Sequence, residues 1–526
     1  MQGPALRIAA EMGLETVAAD ANSGALCVSL ADAFVKVDLK NREGIESVAR
    51  LLMNKGGIGG IMTAGTDFSA TVAWAAEKLG LPGIPYETAL DASDKERMRG
   101  RFKTAGILSP EFLILKKAPE TGFNLPFPFP AVVKPVDNMG ARGCRRVDNL
   151  AELDAAVTEA LGFSLSGRVI VEEYMEGPEY SIDALVYKGE ISLCGIADRH
   201  IFFPPYFIEM GHTMPSAANP RVLASIIETF CRGVKALDID NGAAKGDIKL
   251  TPKGPMIGEI AARLSGGYMS GWTYPYSSGV LPTKGAIEIA LGKKPGNTKS
   301  EWNWTCAERA FISIPGKVRS VTGIERAKVM PWVRDVFLRV KPGSVVSFPE
   351  NNVTKCGNII SAAPGREDAV YSAENTARSI LLRLQAPNEE TETFLETFRA
   401  PGESPVFPPD AFPMGSDLFA ALSALPEGVT GNSVIAEEPV LLPFPEFTES
   451  ALRDYAGRDV TESLEAVRIL TGLKLPFKSK TSVEEVPAKH PGETPSFLGR
   501  SFWQAFIRGG YQGAVYFIDS VWTGND

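Results

Sequence analysis

Two acidic residues, Asp247 and Glu259, bracket the turn Pro252-Lys253-Gly254-Pro255, and apolar-rich stretches lie on either side of it. That pattern reads as a β-hairpin, with Pro255 in the loop because proline has no N–H to give to a ladder. Setting Leu250 opposite Met256 puts Asp247 opposite Glu259, with their Cβ atoms about 4.5–5.5 Å apart. Like charges so placed repel unless a cation sits between them. Arg263 shares the strand face of Glu259 by the two-residue period. Two carboxylates and an arginine on one surface suit Mg²⁺ held jointly with a polyphosphate, since magnesium takes hard oxygens and only one or two protein carboxylates. The plainer alternative is a solvated hairpin, or one acid paired with Lys249.

Two further stretches point towards phosphate chemistry. In residues 133–143 a strand ends in Lys134 and leads into a loop carrying Gly140 and Gly143. Backbone N–H groups freed by glycine cradle phosphate oxygens, and a lysine adds a compact charge. No Gly-Lys-Ser/Thr follows, so this is not a Walker A loop; a glycine-containing surface turn is the alternative. In residues 171–180 a buried strand passes through Glu172, Glu173, Tyr174 and Met175 to a Gly-Pro turn and Glu179. Such a crossing offers backbone groups to a base edge and a carboxylate to ribose hydroxyls, or it is simply a solvated acidic turn.

The rest of the chain gives the setting. Residues 5–90 alternate helix and strand, with strands expected at 16–19 and 58–62 and a helix over 70–79 ending at Gly80, which implies a doubly wound parallel α/β domain. Gly3-Pro4 resembles the turn that normally follows a first strand, so the first strand is missing or the native start lies upstream. Strands are expected at 131–134 and 169–171, and two more over 180–197 joined at Lys188-Gly189. A helix is expected around 372–384, a polar, proline-rich linker over 387–413, and an additional C-terminal α+β region over 414–526, with 510–518 as a buried strand.

Composition narrows the function. A formal net charge of -9 leaves no basic excess for nucleic acid. Six scattered cysteines show no metal-ligand spacing, and three histidines make a His-driven relay improbable. No apolar run reaches the roughly 18–20 residues of a membrane span, and no secretory signal is visible. A cytoplasmic protein without nucleic-acid or membrane partners is expected.

In order and spacing, residues 91–300 resemble the ATP-grasp superfamily. The resemblance runs through Ser93-Asp94-Lys95, Val133-Lys134-Pro135, the loop from Gly140 to Gly143, Glu172 to Met175, Glu179, Asp247, Glu259 to Arg263, and Leu264-Ser265-Gly266-Gly267. It is nearest to carboxylate–amine ligases such as L-amino acid ligases, with glycinamide ribonucleotide synthetase-like and carbamoyl phosphate synthetase-like proteins beside them. It implies a pre-ATP-grasp domain over 1–90, the ATP-grasp domain over 91–300 and a C-terminal subdomain of the ligase core over 301–386. It also implies ATP and Mg²⁺ (Mn²⁺ as the alternative ion), and small-molecule carboxylate and amine substrates joined through an acyl phosphate. Lys95 and Lys134 would contact ATP phosphates under a lid of Gly140, Arg142 and Gly143. Glu172, Tyr174 and Met175 would line the adenine site and Glu179 the ribose. Asp247 and Glu259 would ligate the metal, and Arg263 would stabilise the transferred phosphoryl group, with Lys134 as its catalytic partner.

Two positions depart from the family pattern. Ala261 stands where many relatives carry asparagine, and Asp247 where many carry Gln or Glu. His212 reads either as a polar residue beside the nucleotide or as a satisfied structural histidine. Arg199 reads as a substrate-carboxylate ligand or as a surface ion pair. A bicarbonate-activating carboxylase, a carbamoyl phosphate synthetase-like enzyme, and a nucleotide-binding protein without turnover are the alternative functions. A homodimer contact, a cover for the site and a partner surface are the roles open to residues 400–526.

Overall fold

The computed structural model describes residues 2–120, 122–296, 298–401, 407–424, 451–472 and 500–521. The chain divides into two compact units, Met1–Glu308 with Ser361–Val370, and Arg309–Ile360 with Tyr371–Asp526.

The first unit begins with α1 (Gln2–Glu11), then β1 (Val17–Asp20) and β2 (Ala33–Lys36), which pair in parallel. Gly3 and Pro4 lie inside α1 rather than in a turn before it; proline is tolerated in a first helical turn, where its missing N–H has no partner to lose. Helices α2 (Arg42–Lys55) and α3 (Ser69–Leu79) follow, and Gly80 closes α3 at φ 66° as its position demands. The strand expected at 58–62 does not form. Gly59 and Gly60 instead let the chain press against Leu291 and the Ala290 carbonyl, where a Cβ on Gly60 would lie 2.2 Å from that oxygen.

After α4 (Tyr86–Asp91) and α5 (Lys95–Thr104), a four-stranded antiparallel sheet forms in the order β3-β6-β4-β5. Its strands are β3 (Phe112–Leu115), β4 (Ala131–Pro135), β5 (Arg145–Val147) and β6 (Val169–Glu173). Helix α6 (Leu150–Phe163) packs Leu153, Ala156, Val157 and Ala160 onto Val133, Val147 and Val171. The larger sheet runs β11-β10-β7-β8-β9 within this unit. Its strands are β7 (Glu179–Tyr187), β8 (Glu190–Phe202), β9 (Ile208–Met214), β10 (Asn241–Thr251) and β11 (Gly254–Ala261). Lys188 and Gly189 make the expected turn between β7 and β8, both at positive φ, as a tight hairpin turn requires. Helix α7 (Pro220–Ala236) covers one face with Ile226, Phe230 and Val234 against Ile248, Ile257 and Ile260.

In the second unit, strands Gly316–Thr322, Val345–Val346 and Leu381–Leu384 form a three-stranded antiparallel sheet. Residues 381–384 are thus strand, not the end of the expected helix, which stops at Ser379. Within the expected linker, Glu389–Glu396 is a helix capped by the Asn388 side chain, and residues 402–406 fall outside the described residues. The expected strand at 510–518 is helical instead: the element Arg500–Val521 is two helical segments that break at Gly510 (φ 61°), and the second carries these residues. Its residues are buried almost all round, among Phe412, Val467, Phe502 and Phe506, and an apolar run without alternation does not distinguish a buried strand from a buried helix. Among the described residues no helix is long and apolar enough to cross a membrane.

Candidate active site

The hairpin of β10 and β11 brings Asp247 and Glu259 opposite each other by an unexpected route. Pro255 lies in β11, not in the turn, and pairs with Leu250; Met256 pairs with Lys249. Proline is admissible there because β11 is an edge strand of the sheet, so the missing N–H faces away from β10. Carried on regularly, this register would set Asp247 against Gly258. Glu259 would fall opposite Gly246, on the core face, where a Cβ on Gly246 would meet Phe230 at 2.6 Å. A bulge between Asp247 and Ile248 absorbs Gly258 and returns Glu259 to the face of Asp247.

The two carboxylates then differ in company. Asp247 accepts from Ser181 Oγ (2.9 Å), pairs with Lys245, and lies 3.1 Å from Arg199 Nη1. Burial alone would push its carboxyl up; Arg199 and Lys245 overcome this and hold it below the usual range. Burial acts on Glu259 in the same way, and Lys95 and Lys245 bring it down while Asp247 opposes them. Among the described residues Glu259 has one cation in contact range, Lys95 at 3.9 Å. Its side chain is 33% exposed against 13% for Asp247, so it is the more open oxygen ligand.

The small sheet supplies the phosphate side. Lys95 is buried and donates to the Asn138 carbonyl (2.9 Å), at the start of the glycine loop. Gly140, Ala141 and Gly143 all take positive φ, and a Cβ on Gly143 would meet Phe163 at 2.8 Å, so the loop lies close on α6 only because that position has no side chain. Arg142 donates to the Met139 carbonyl (3.1 Å). Lys134 meets Glu172 at 2.7 Å, and the other Glu172 oxygen accepts from Arg99 (2.9 Å). Burial would raise Glu172, but Arg99 and Lys134 hold it low. With 2% of its surface exposed, Glu172 has both oxygens engaged, by Lys134 and Arg99.

Tyr174 stacks on Phe207, with Arg146 and Lys249 flanking its ring at 4.9 and 5.1 Å. Lys249 also donates to the Met175 carbonyl (3.1 Å). This crossing segment lies tight against β10 because Gly177, at φ 129°, has no Cβ to strike the Leu250 carbonyl.

Sequence reasoning missed the depth of the charge network. Arg199 is 11% exposed and pairs with Glu179, Glu209 (2.7 Å) and Asp247 (3.1 Å), so the ion pair expected at the surface is a buried hub. Burial would lower its pKa, but Asp247, Glu179 and Glu209 raise it well above the ordinary value. Glu179 is therefore already paired, with Lys249 Nζ 3.6 Å away as well. His212 is 2% exposed, with Nδ1 3.0 Å from Glu308 and Nε2 3.5 Å from Glu209. Both ring nitrogens thus face acids. Asp183, buried beneath Ser265 and Ser270, is pushed up to about 6 by burial.

On the far side of Glu259, Arg263 is 9% exposed and its Nε is buried without a hydrogen-bond acceptor. The nearest acid is Asp67, 3.8 Å away on the loop before α3 and overlooked in the sequence. Burial pushes Asp67 up and Arg263 opposes this, while Glu259, Lys95 and Arg142 also act on it. These groups therefore converge on one place.

The donor set fits a magnesium ion and a polyphosphate. It offers hard carboxylate oxygens from Glu259 and from Asp247, the latter paired here with Lys245, beside the Arg263 Nε that lacks an acceptor among the described residues and two lysines suited to anions. Among the described residues no group of three or more His, Cys, Asp or Glu side chains surrounds a metal-sized space. Phosphate and water would complete such a shell.

Residues 127–271 match the family model described as ATP-grasp domain, and residues 310–385 match L-amino acid ligase C-terminal domain 2. The chain contains an ATP-grasp domain. That domain holds Lys134, the glycine loop, Glu172, Glu179, Asp247, Glu259 and Arg263 within its matched span, while Lys95 and Asp67 precede it. The chain is 25% identical over 350 residues to the uncharacterized protein y4rH of Sinorhizobium fredii, covering 66% of this chain and 72% of the relative. It is 24% identical over 284 residues to the L-arginine-specific L-amino acid ligase of Bacillus subtilis, covering 52% and 67%. The crystal structure of an L-amino acid ligase from Bacillus licheniformis superposes with a TM-score of 0.64 at 22% identity, over 73% of this chain and 96% of that one, a likeness of fold.

Proposed function

We propose that the protein is an ATP-dependent carboxylate–amine ligase, which forms an amide or peptide bond through an acyl phosphate and releases ADP and phosphate. The observation that carries this reading is the bulged hairpin that turns Glu259 to face Asp247 beside Lys95, with Arg263 on the same side. The ligase relatives and the ATP-grasp domain support it.

In this reading Lys95 and Lys134 hold the phosphates of ATP, and the loop of Gly140, Arg142 and Gly143 closes over them. Tyr174 and Met175 border the base, and Glu179, already braced by Arg199 and Lys249, meets the ribose with its remaining lone pairs. Asp247 and Glu259 would hold Mg²⁺, which when bound neutralises charge on the phosphates. A substrate carboxylate oxygen attacks the γ-phosphorus and ADP leaves. The amine then attacks the acyl carbon, and phosphate leaves with the oxygen that had attacked. Arg263, with an N–H to donate and little exposure to water, stabilises charge on the transferred group. Positioning carries most of the work, because phosphoryl transfer asks little covalent chemistry of a protein.

The test is ADP release with Mg-ATP and amino acids offered singly and in pairs. The ligase reading expects release that rises at least about tenfold with a competent carboxylate and amine together, a drop in barrier of about 1.4 kcal/mol or more. Tight ADP binding with no substrate-stimulated release from any pair would instead mark a nucleotide-binding protein without turnover.

A further inference from the structure

Arg99 ties the phosphate side of the site to the carboxylate hairpin. Helix α5 carries it to a position with no exposed surface. There Nε donates to Glu172 (2.9 Å) and Nη2 donates to the Gly258 carbonyl (2.6 Å). The first contact bears on Lys134, because Glu172 holds Lys134 with its other oxygen. The second bears on Glu259, because Gly258 is the residue that the bulge absorbs. A bulge leaves one residue outside the ladder, and here a buried guanidinium caps that residue's carbonyl.

We propose that Arg99 is a positioning residue for both halves of the site. It shares the negative charge of Glu172, so that Lys134 keeps positive charge for a phosphate, and it locks the bulge that keeps Glu259 on the face of Asp247. This rests on the ligase reading. A planar guanidinium serves two acceptors in fixed directions at once; an ammonium in its place keeps the charge but not that geometry. The two roles are therefore separable.

The experiment uses the full chain with Arg99→Lys and the double variant Arg99→Met/Glu172→Gln, which removes both charges of the buried Arg99–Glu172 pair if the single change impairs folding. Three quantities are measured: ADP affinity without metal, Mn²⁺ affinity of the ADP complex by electron paramagnetic resonance, and ligand-free hydrogen exchange over residues 254–261. In Arg99→Lys ADP affinity without metal stays close to wild type, because a cation is kept beside Glu172; the double variant is read against Glu172→Gln alone, for Mn²⁺ affinity and exchange only. Mn²⁺ affinity falls at least about tenfold, within the range for losing support behind a metal ligand. Exchange at residues 257–260 speeds up. Wild-type Mn²⁺ affinity and wild-type protection of 257–260 in a folded variant would overturn the proposal. If the wild type binds no ADP with or without metal, the ligase reading falls, and the exchange measurement still decides whether Arg99 holds the bulge.

Discussion

Glu259→Gln is expected to lower substrate-dependent ADP release by at least about 100-fold while the chain stays folded. Changes behind a metal ligand cost about 10–100-fold, and removing a ligand's charge is more severe. Glutamine keeps the size of the side chain and an oxygen, but its neutral amide neither balances Lys95 nor offers an anionic ligand. Folding should survive because the position is part-exposed and Lys95 retains the Asn138 carbonyl. Steady-state turnover with saturating ATP and a thermal melt check both halves. Near-normal turnover would remove Glu259 from the metal-binding role.

The second large effect is on stability. Arg199→Met strips the cation shared by Glu179, Glu209 and Asp247 in a place with little solvent. Breaking a buried charge network in this way costs about 3–5 kcal/mol. The sign with pH follows from Asp247. In the native protein its carboxyl lies below the usual range, so it contributes stability above the unfolded pKa of about 3.9, lost as pH falls through the folded value. Without Arg199, Lys245 alone opposes burial and its folded pKa rises from the native value. The penalty then grows as pH rises through the carboxylate range and fades as acid protonates the group. Unfolding midpoints of variant and wild type should differ most near pH 7 and clearly less near pH 3. A deficit that is the same at both would mean that packing, not charge, is what Arg199 supplies.

The residues that read well in sequence are those whose partners are close along the chain. Lys188-Gly189 announced its hairpin because two positive-φ residues between apolar strands leave few other solutions. Asp247 and Glu259 were legible as a facing pair, although the register that predicts it is one residue out near the turn. The isolated Gly258 within a strand pattern was the available sign of the bulge that corrects it. Arg199 was not legible: its partners Glu179, Glu209 and Asp247 come from three other strands, and nothing local in sequence distinguishes a buried arginine from a surface one. Glu172 was placed on the right strand, but its pairing with Arg99, which reaches it from α5, was not legible. Asp67 sits on a loop of the preceding α/β region whose approach to Arg263 no spacing encodes. Residues 510–518 carried apolarity without period, which fixes burial but leaves the choice of helix or strand open.

The central claim is that the γ-phosphoryl group passes to a substrate carboxylate, and isotope transfer tests it directly. With both carboxylate oxygens of the substrate labelled with ¹⁸O, mass spectrometry of the released phosphate is expected to find one ¹⁸O for each amide bond formed, because the attacking oxygen leaves with phosphorus. Unlabelled phosphate, or release of pyrophosphate and AMP in its place, would contradict the account.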